Sequence, residues 1–143
     1  MEYRLIIDKN NPESLVLSVH ERTAFVDSIE RMLNRGTEEI TGYADDEIFC
    51  VPLDEIYCFF TDSGRVYIST DNKKLMIKQR LCNIESIINE NFVKINQGCI
   101  INKNFVKKFQ VSIGGAIKVC LKNGFEDYIS RRELTKVKRS FGL

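Results

Sequence analysis

The chain from Glu47 onward consists mainly of short runs rich in β-branched and aromatic residues, separated by turn signals. Such runs, bounded by Gly, Asn or Asp, are typical of strands. Thr61-Asp62-Ser63-Gly64 and Asn123-Gly124 predict hairpin turns, and Gly114-Gly115 predicts a two-residue hairpin loop. The pattern predicts an α+β fold, mainly β. The predicted strands cover residues 48–51, 56–60, 65–69, 75–77, 92–95, 106–113, 117–121 and 125–129.

Three other segments have the apolar spacing of helices. They are residues 21–33, 79–90 and 131–141. The last helix follows Ser130, a good N-cap residue, and Glu133 stands three residues later in the position of a capping box. Three more strands are predicted before and after the first helix, at residues 3–8, 15–19 and 37–43.

The chain has 143 residues, which predicts one domain or one domain with a short extension. Its five cysteines are odd in number and contain no CxxC pair, so a full disulfide framework is excluded and the thiols are expected in the core. With a single histidine, His20, no metal site or cofactor is expected. No apolar run approaches the roughly 18 residues of a membrane span, and the start lacks a signal peptide, so a cytoplasmic location is expected.

Charge is distributed unevenly along the chain. Residues 1–93 hold 10 basic and 17 acidic residues, a net charge of −7, whereas residues 94–143 hold 11 basic and 3 acidic residues, a net charge of +8. A concentrated basic segment in a nearly neutral protein favours a polyanionic partner, nucleic acid first. A solvated basic face with no partner is the alternative at this point.

Polar and basic residues in loops are the candidates for contacts with nucleic acid. Asn and Gln amides pair with adenine edges, Lys and Arg contact phosphate or guanine, and glycine allows close approach of the backbone. A helix N-terminus with Ser-Arg-Arg attracts phosphate. No helix carries a dense Lys/Arg stripe, so loops are expected to read the DNA, and no residue set predicts catalysis. The candidate residues are Arg65, Lys94, Asn96, Gln97, Gly98, Asn102, Lys103, Ser130, Arg131, Arg132 and Lys136.

The C-terminal sequence also has a fairly specific order of motifs. A strand and turn ending in Asn123-Gly124 lead to Ile129-Ser130-Arg131-Arg132 and a short basic helix, and Phe92-Val93-Lys94-Ile95 precedes Ile100-Ile101-Asn102 and Phe105-Val106. Over residues 44–143 this order resembles the LytTR DNA-binding domain of bacterial transcription regulators. Residues 1–43 resemble the N-terminal strand-helix extension of small stand-alone members of that family.

The resemblance implies layered antiparallel sheets and loops that enter successive major grooves of double-stranded DNA and bend it. The implied contact positions are Gly64 and Arg65, the loop Asn96-Gln97-Gly98, and Arg132 with Arg131 and Ser130 beside it. Many members have His-Arg-Ser where this chain has Asn96-Gln97-Gly98, so the charge of an arginine is absent from this loop. A homodimer is expected, and some small members act with a membrane-embedded regulatory protein. No small-molecule substrate is expected.

Two other functions remain open from the sequence. The acidic N-terminal part would bind a regulatory partner in a protein-interaction module. An RNA-binding protein would stack bases on Phe92, Phe105, Phe109 and Phe125. The sequence also leaves open whether the N-terminal extension forms a dimer or packs on its own domain.

Overall fold

The computed structural model describes residues 2–33 and 38–143, which contain ten strands and three α-helices. Seven antiparallel strands form one sheet, in the order β2-β1-β5-β4-β3-β7-β6, and three form a second, in the order β10-β9-β8. The predicted α+β fold, mainly β with layered antiparallel sheets and short helices, is confirmed. The strands are β1 (Glu39–Ala44), β2 (Glu47–Pro52), β3 (Cys58–Asp62), β4 (Arg65–Ser69), β5 (Lys74–Ile77), β6 (Phe92–Asn96), β7 (Cys99–Asn102), β8 (Val106–Val111), β9 (Ile117–Leu121) and β10 (Glu126–Tyr128), and the helices are α1 (Ala24–Leu33), α2 (Leu81–Ile87) and α3 (Arg131–Ser140).

The large sheet is covered on both faces around β3, β7 and β6. Because successive strand residues point to opposite faces, Phe59 packs into a core with Ile84 of α2, whereas its neighbour Cys58 packs into a second core with Val137 of α3 and residues of the small sheet. Every residue of β7 is buried. This strand therefore lacks the alternation of apolar and polar residues, and the sequence pattern did not predict it.

Turn geometry confirms two hairpins and corrects the loop of a third. Ser63 and Gly64 form a two-residue turn with positive φ at both positions, the combination that suits the twist of a hairpin. The hairpin at Asn123-Gly124 is confirmed between β9 and β10. The predicted two-residue loop at Gly114-Gly115 is wrong, because the Ser112 amide donates to the Ala116 carbonyl at 2.9 Å and the loop has three residues.

The N-terminal region differs from its prediction. Residues 2–23 contain no strand, so the strands predicted at residues 3–8 and 15–19 are not formed, whereas the helix is confirmed as α1. A strand needs a hydrogen-bonded neighbour, and the described chain provides none for these residues. The third predicted strand is β1, and Thr37 at its predicted start lies outside the described residues. The domain boundary predicted after Tyr43 falls inside β1, which pairs with β2 along its whole length.

Within residues 2–33 and 38–143 no helix has both the length and the apolar character to cross a membrane. The same residues contain no group of three or more His, Cys, Asp or Glu side chains placed to hold a metal ion.

Candidate nucleic-acid interface

Two hairpin turns lie side by side at one end of the large sheet. β3 pairs with β7 so that Phe60 lies opposite Cys99, which brings the end of β3 beside the turn between β6 and β7. The Thr61 amide donates to the Gly98 carbonyl at 2.9 Å, and the Thr61 hydroxyl lies 3.4 Å from the same oxygen. The turn Ser63-Gly64 and the turn Gln97-Gly98 are therefore held against each other.

Gly98 is required at this contact for space. A Cβ atom on Gly98 would collide with the hydroxyl oxygen of Thr61, and its φ lies outside the left-handed region. The sequence predicted that glycine here allows close approach of the backbone. In the structure it is the neighbouring hairpin, through Thr61, that lies close to the Gly98 backbone.

The side chain of Asn96 joins the same turn to the small sheet. Its amide nitrogen donates to the Asp127 carboxylate at 3.0 Å and to the Tyr128 carbonyl at 2.9 Å, and its oxygen accepts from the Gly98 amide at 2.8 Å. Both amide hydrogens and the carbonyl are occupied inside the protein. Asn96 thus holds the turn in place, and Gln97 is the exposed side chain that projects from it.

The start of α3 lies next to this turn. The Ser130 amide donates to the Ile95 carbonyl at 2.8 Å, and the Ser130 hydroxyl accepts from the Glu133 amide at 3.4 Å. The predicted N-cap is confirmed, while the Ser130 amide bonds to β6 and not to the Glu133 side chain as a capping box requires. Val137 buries the inner face of α3, which leaves Arg131, Arg132 and Lys136 exposed on the outer side.

Three predicted contact residues lie apart from this edge. Asn102 is 1% exposed, and its side chain donates to the Ile56 carbonyl and accepts from the Asn104 amide. Its predicted contact with DNA is therefore corrected to a structural role. Lys94 forms an ion pair with Glu85 at 3.2 Å. Lys103 follows Asn102 at the far end of β7, where its amine lies 3.4 Å from the Ser140 carbonyl.

The remaining candidate, Arg65, directly follows the turn Ser63-Gly64 and is exposed. The structure therefore presents five exposed side chains from three distant parts of the sequence, and the Arg65 guanidinium among them lies on the β5 side of β4, 3.9 Å from Met76 Sδ. Among the described residues, none of the four cations in this set forms an ion pair. We call this set the reading edge: Arg65, Gln97, Arg131, Arg132 and Lys136.

Two buried thiols lie behind the reading edge. Burial raises the pKa of the Cys58 and Cys99 thiols well above the usual range, and the nearby carboxylate of Asp127 acts in the same direction. Both thiols therefore stay protonated at neutral pH and pack as small apolar groups, as predicted. The prediction of a core position fails for Cys50 and Cys82, which are exposed.

A β-rich fold with turns, a helix N-terminus and exposed cations at one edge has the features of a nucleic-acid-binding domain. Residues 46–142 match the family described as the LytTr DNA-binding domain, and the chain belongs to this family.

Full-length relatives and a solved structure agree with this membership. An uncharacterized HTH-type transcriptional regulator of Staphylococcus aureus strain NCTC 8325 is 26% identical over 148 residues, covering 100% of this chain and 99% of the relative. A regulator of the same description from strain N315 is 27% identical over 146 residues with the same coverage. The LytTr DNA-binding domain of a Bacillus cereus protein described as a methyl-accepting/DNA response regulator shares the fold, with a TM-score of 0.68 and 16% identity over 73% of this chain and 97% of that chain.

Proposed function

We propose that the protein is a sequence-specific transcription regulator that binds double-stranded DNA and reads major grooves with the reading edge. The observation that carries this proposal is the joining of three elements at one edge of the sheet. Hydrogen bonds from Thr61 to Gly98, from Asn96 to Tyr128 and from Ser130 to Ile95 hold the two turns and the start of α3 together. Side chains presented from such a frame match the way in which proteins read base edges from fixed positions.

The side chains of the reading edge have different roles in this proposal. Gln97 pairs with a base edge through its amide, and Arg65 and Arg132 contact guanine or phosphate. The first turn of α3 has free backbone N–H groups, and with Arg131 and Lys136 it binds phosphate. Asn96 and Gly98 position the central turn and do not contact bases.

Packing of the aromatic rings favours DNA over RNA. Phe105 is stacked on Tyr57 with ring centroids 3.9 Å apart, and Phe109 meets Phe141 edge-on at 5.0 Å. Phe92 is buried in the core. Rings engaged with another ring or buried in this way leave less aromatic surface for stacking of bases.

The protein acts in this proposal as a homodimer on repeated half-sites, in the cytoplasm where bacterial DNA is accessible. It needs no cofactor, and we assign no catalytic residue. A membrane-embedded regulatory protein as a second partner stays a prediction of the family resemblance.

Fluorescence anisotropy with duplex DNA from the protein's own upstream region, against a scrambled duplex, tests the proposal. We expect a preference for the native duplex, with affinity that falls as salt rises by about 0.9 logarithmic units per decade for each neutralised phosphate. Arg132→Ala should weaken specific binding by ~1–3 kcal/mol if it reads a base.

Lys122→Ala is the matched control, because Lys122 is exposed in the loop between β9 and β10, at the opposite end of the small sheet from α3. An equal loss on both duplexes would reassign Arg132 to phosphate. Equal weak binding of the unaltered protein to both duplexes would contradict the proposal.

A further inference from the structure

The first 33 residues hold most of the exposed apolar surface of the protein. Eleven of the seventeen large apolar side chains that are exposed in the described chain lie between residues 2 and 33. Tyr3 is 94% exposed and Val16 is 84% exposed. An apolar region of this extent on a soluble chain marks an interaction surface.

The same region contains a turn flanked by two strand-like segments that are not paired with each other. The Asp8 carboxylate accepts hydrogen bonds from the Asn10 amide at 2.9 Å and from the Asn11 side chain at 2.6 Å, which forms a turn. The segments on either side, residues 3–7 and 15–19, have the composition of strands but form no backbone hydrogen bonds within the described chain. Their amide and carbonyl groups are free to pair with another strand.

Helix α1 adds an apolar face that is only partly covered, since Val26 is buried and Ile29 is half-buried. Phe25, Ile29 and Met32 follow helical spacing on one side, and Phe25 and Met32 are exposed. The polar side is satisfied locally, because Arg22 pairs with Asp27 at 2.7 Å and with Glu30 at 2.6 Å. The exposed face of α1 is therefore complementary to an apolar partner and not to a charged one.

We infer that this N-terminal region, residues 2–33, is a docking surface for the same region of a second copy of the chain. The two copies pair their strand segments across a two-fold axis, and the two α1 helices cover the new sheet. This deepens the homodimer of the proposed function by naming its interface.

The size of the exposed surface suits a stable dimer. At about 60–120 Å² for a fully exposed large aliphatic side chain, the eleven groups at their exposed fractions of 38–94% offer on the order of 400–900 Å² per chain. A standard interface buries about 800 Å² per partner.

Charge also favours a second copy over an anionic surface. Residues 2–33 carry six acidic and four basic side chains, a net charge of −2. Two copies at this charge repel only weakly, whereas an anionic lipid or nucleic-acid surface requires an excess of Lys and Arg.

The place of the N-terminal region in the fold leaves the DNA-binding side open. Arg31 of α1 lines a cavity together with Leu53, Phe92 and Asn102. Phe92 pairs with Asn102 at the end of β6 and β7 opposite the turn Gln97-Gly98. A dimer formed from the N-terminal region thus presents two reading edges, both away from the interface.

Analytical ultracentrifugation of the full chain without DNA tests the inference. We expect a dimer at low micromolar concentration and self-association at least about a hundredfold weaker in the double variant Ile7→Asp/Val16→Asp, because each charge would be buried without a partner. Ile48→Asp is the matched control, since Ile48 is 69% exposed on the edge strand β2 outside the N-terminal region. Amide exchange of residues 3–7 and 15–19 should be slow in the dimer and fast in the double variant.

A monomeric wild-type protein at tens of micromolar would overturn the inference, as would a double variant that remains dimeric. Loss of the dimer in Ile48→Asp alone would place the interface at β2 and overturn it as well. Because the residues changed are exposed, circular dichroism and the unfolding midpoint of the monomer should be unaffected. A dimer that binds no DNA would contradict the proposed function and leave this inference standing.

Discussion

The effect of Gly98→Ala on the free energy of unfolding should depend on the residue at position 61. The substitution should destabilise the protein when that residue is threonine and stabilise it when that residue is alanine. In the wild-type background the new Cβ meets the Thr61 hydroxyl, and overpacking of this kind costs about 1–3 kcal/mol. The φ of Gly98 is not left-handed, so alanine also restricts the unfolded chain and contributes about 0.4–1 kcal/mol of stability. The net expectation for Gly98→Ala is a loss of about 1 kcal/mol in the free energy of unfolding.

In a Thr61→Ala background the collision is absent. Gly98→Ala should then stabilise the protein by about 0.4–1 kcal/mol, so that the two substitutions show a coupling of about 1–2 kcal/mol. Thr61→Ala alone should have a small effect, because Thr61 is exposed and its hydroxyl lies 3.4 Å from the Gly98 carbonyl.

Urea unfolding followed by circular dichroism measures the four proteins of this cycle, with the midpoint as readout if the slope stays constant. Additive effects would refute the reasoning, since they would mean that Thr61 is not the group that the alanine meets. DNA affinity of Gly98→Ala should also fall on the native duplex and recover in the double variant, because the spacing of the two turns is restored.

Three further predictions follow from the same contacts. Asn96→Ala should lower the free energy of unfolding by about 1–3 kcal/mol and weaken specific DNA binding without removal of a charge, because the Asp127 carboxylate, the Tyr128 carbonyl and the Gly98 amide each lose a hydrogen bond; unchanged affinity in anisotropy would contradict the positioning role. Asn102→Ala should destabilise by a similar ~1–3 kcal/mol in urea, yet the folded variant should bind DNA with wild-type affinity, and a selective loss of binding would restore Asn102 to the interface. Lys118 lowers the pKa of Glu126 through a hydrogen bond at 2.9 Å. The stability difference between wild type and Lys118→Met should therefore be present above the usual pKa of a glutamate and vanish as pH falls through the lowered value. A difference in unfolding midpoint that persists in acid would argue against this pair.

The sequence predicted elements whose signals are local. Helix α3 and its N-cap Ser130 are decided by residues close together in the chain, as is the turn Ser63-Gly64. The strands of the N-terminal region were predicted by the same kind of signal and are not formed. A strand depends on a neighbour that local composition does not supply, and the described chain holds none for them.

Long-range contacts explain the errors in the candidate site. Asn96 and Asn102 have side chains suited to reading adenine, and the sequence does not show that partners more than 30 residues away occupy them. Asp127 was missed as a positioning residue for the same reason. Its one available signal was that it is among only three acidic residues in a strongly basic segment.

The three acidic residues of the C-terminal segment all have contacts or positions within the fold. Glu126 pairs with Lys118, the Asp127 carboxylate binds Asn96, and Glu133 lies in the first turn of α3, where a negative charge favours the helix. Each carboxylate thus has a role within the fold, and among the described residues none of the three forms an ion pair with a cation of the reading edge.

The two turns and the start of α3, which carry these cations, are already joined by hydrogen bonds in the protein without DNA. Backbone and side-chain hydrogen bonds set the distance between the two turns and α3, so little ordering is needed on binding. In the proposed complex the preformed edge keeps its arrangement, and the duplex adapts to it. Sequences that bend easily at flexible pyrimidine–purine steps should therefore bind better than stiff sequences with the same contacted bases. A set of duplexes that differ only between the contacted positions would measure this, and equal affinity across the set would show that the edge itself adjusts.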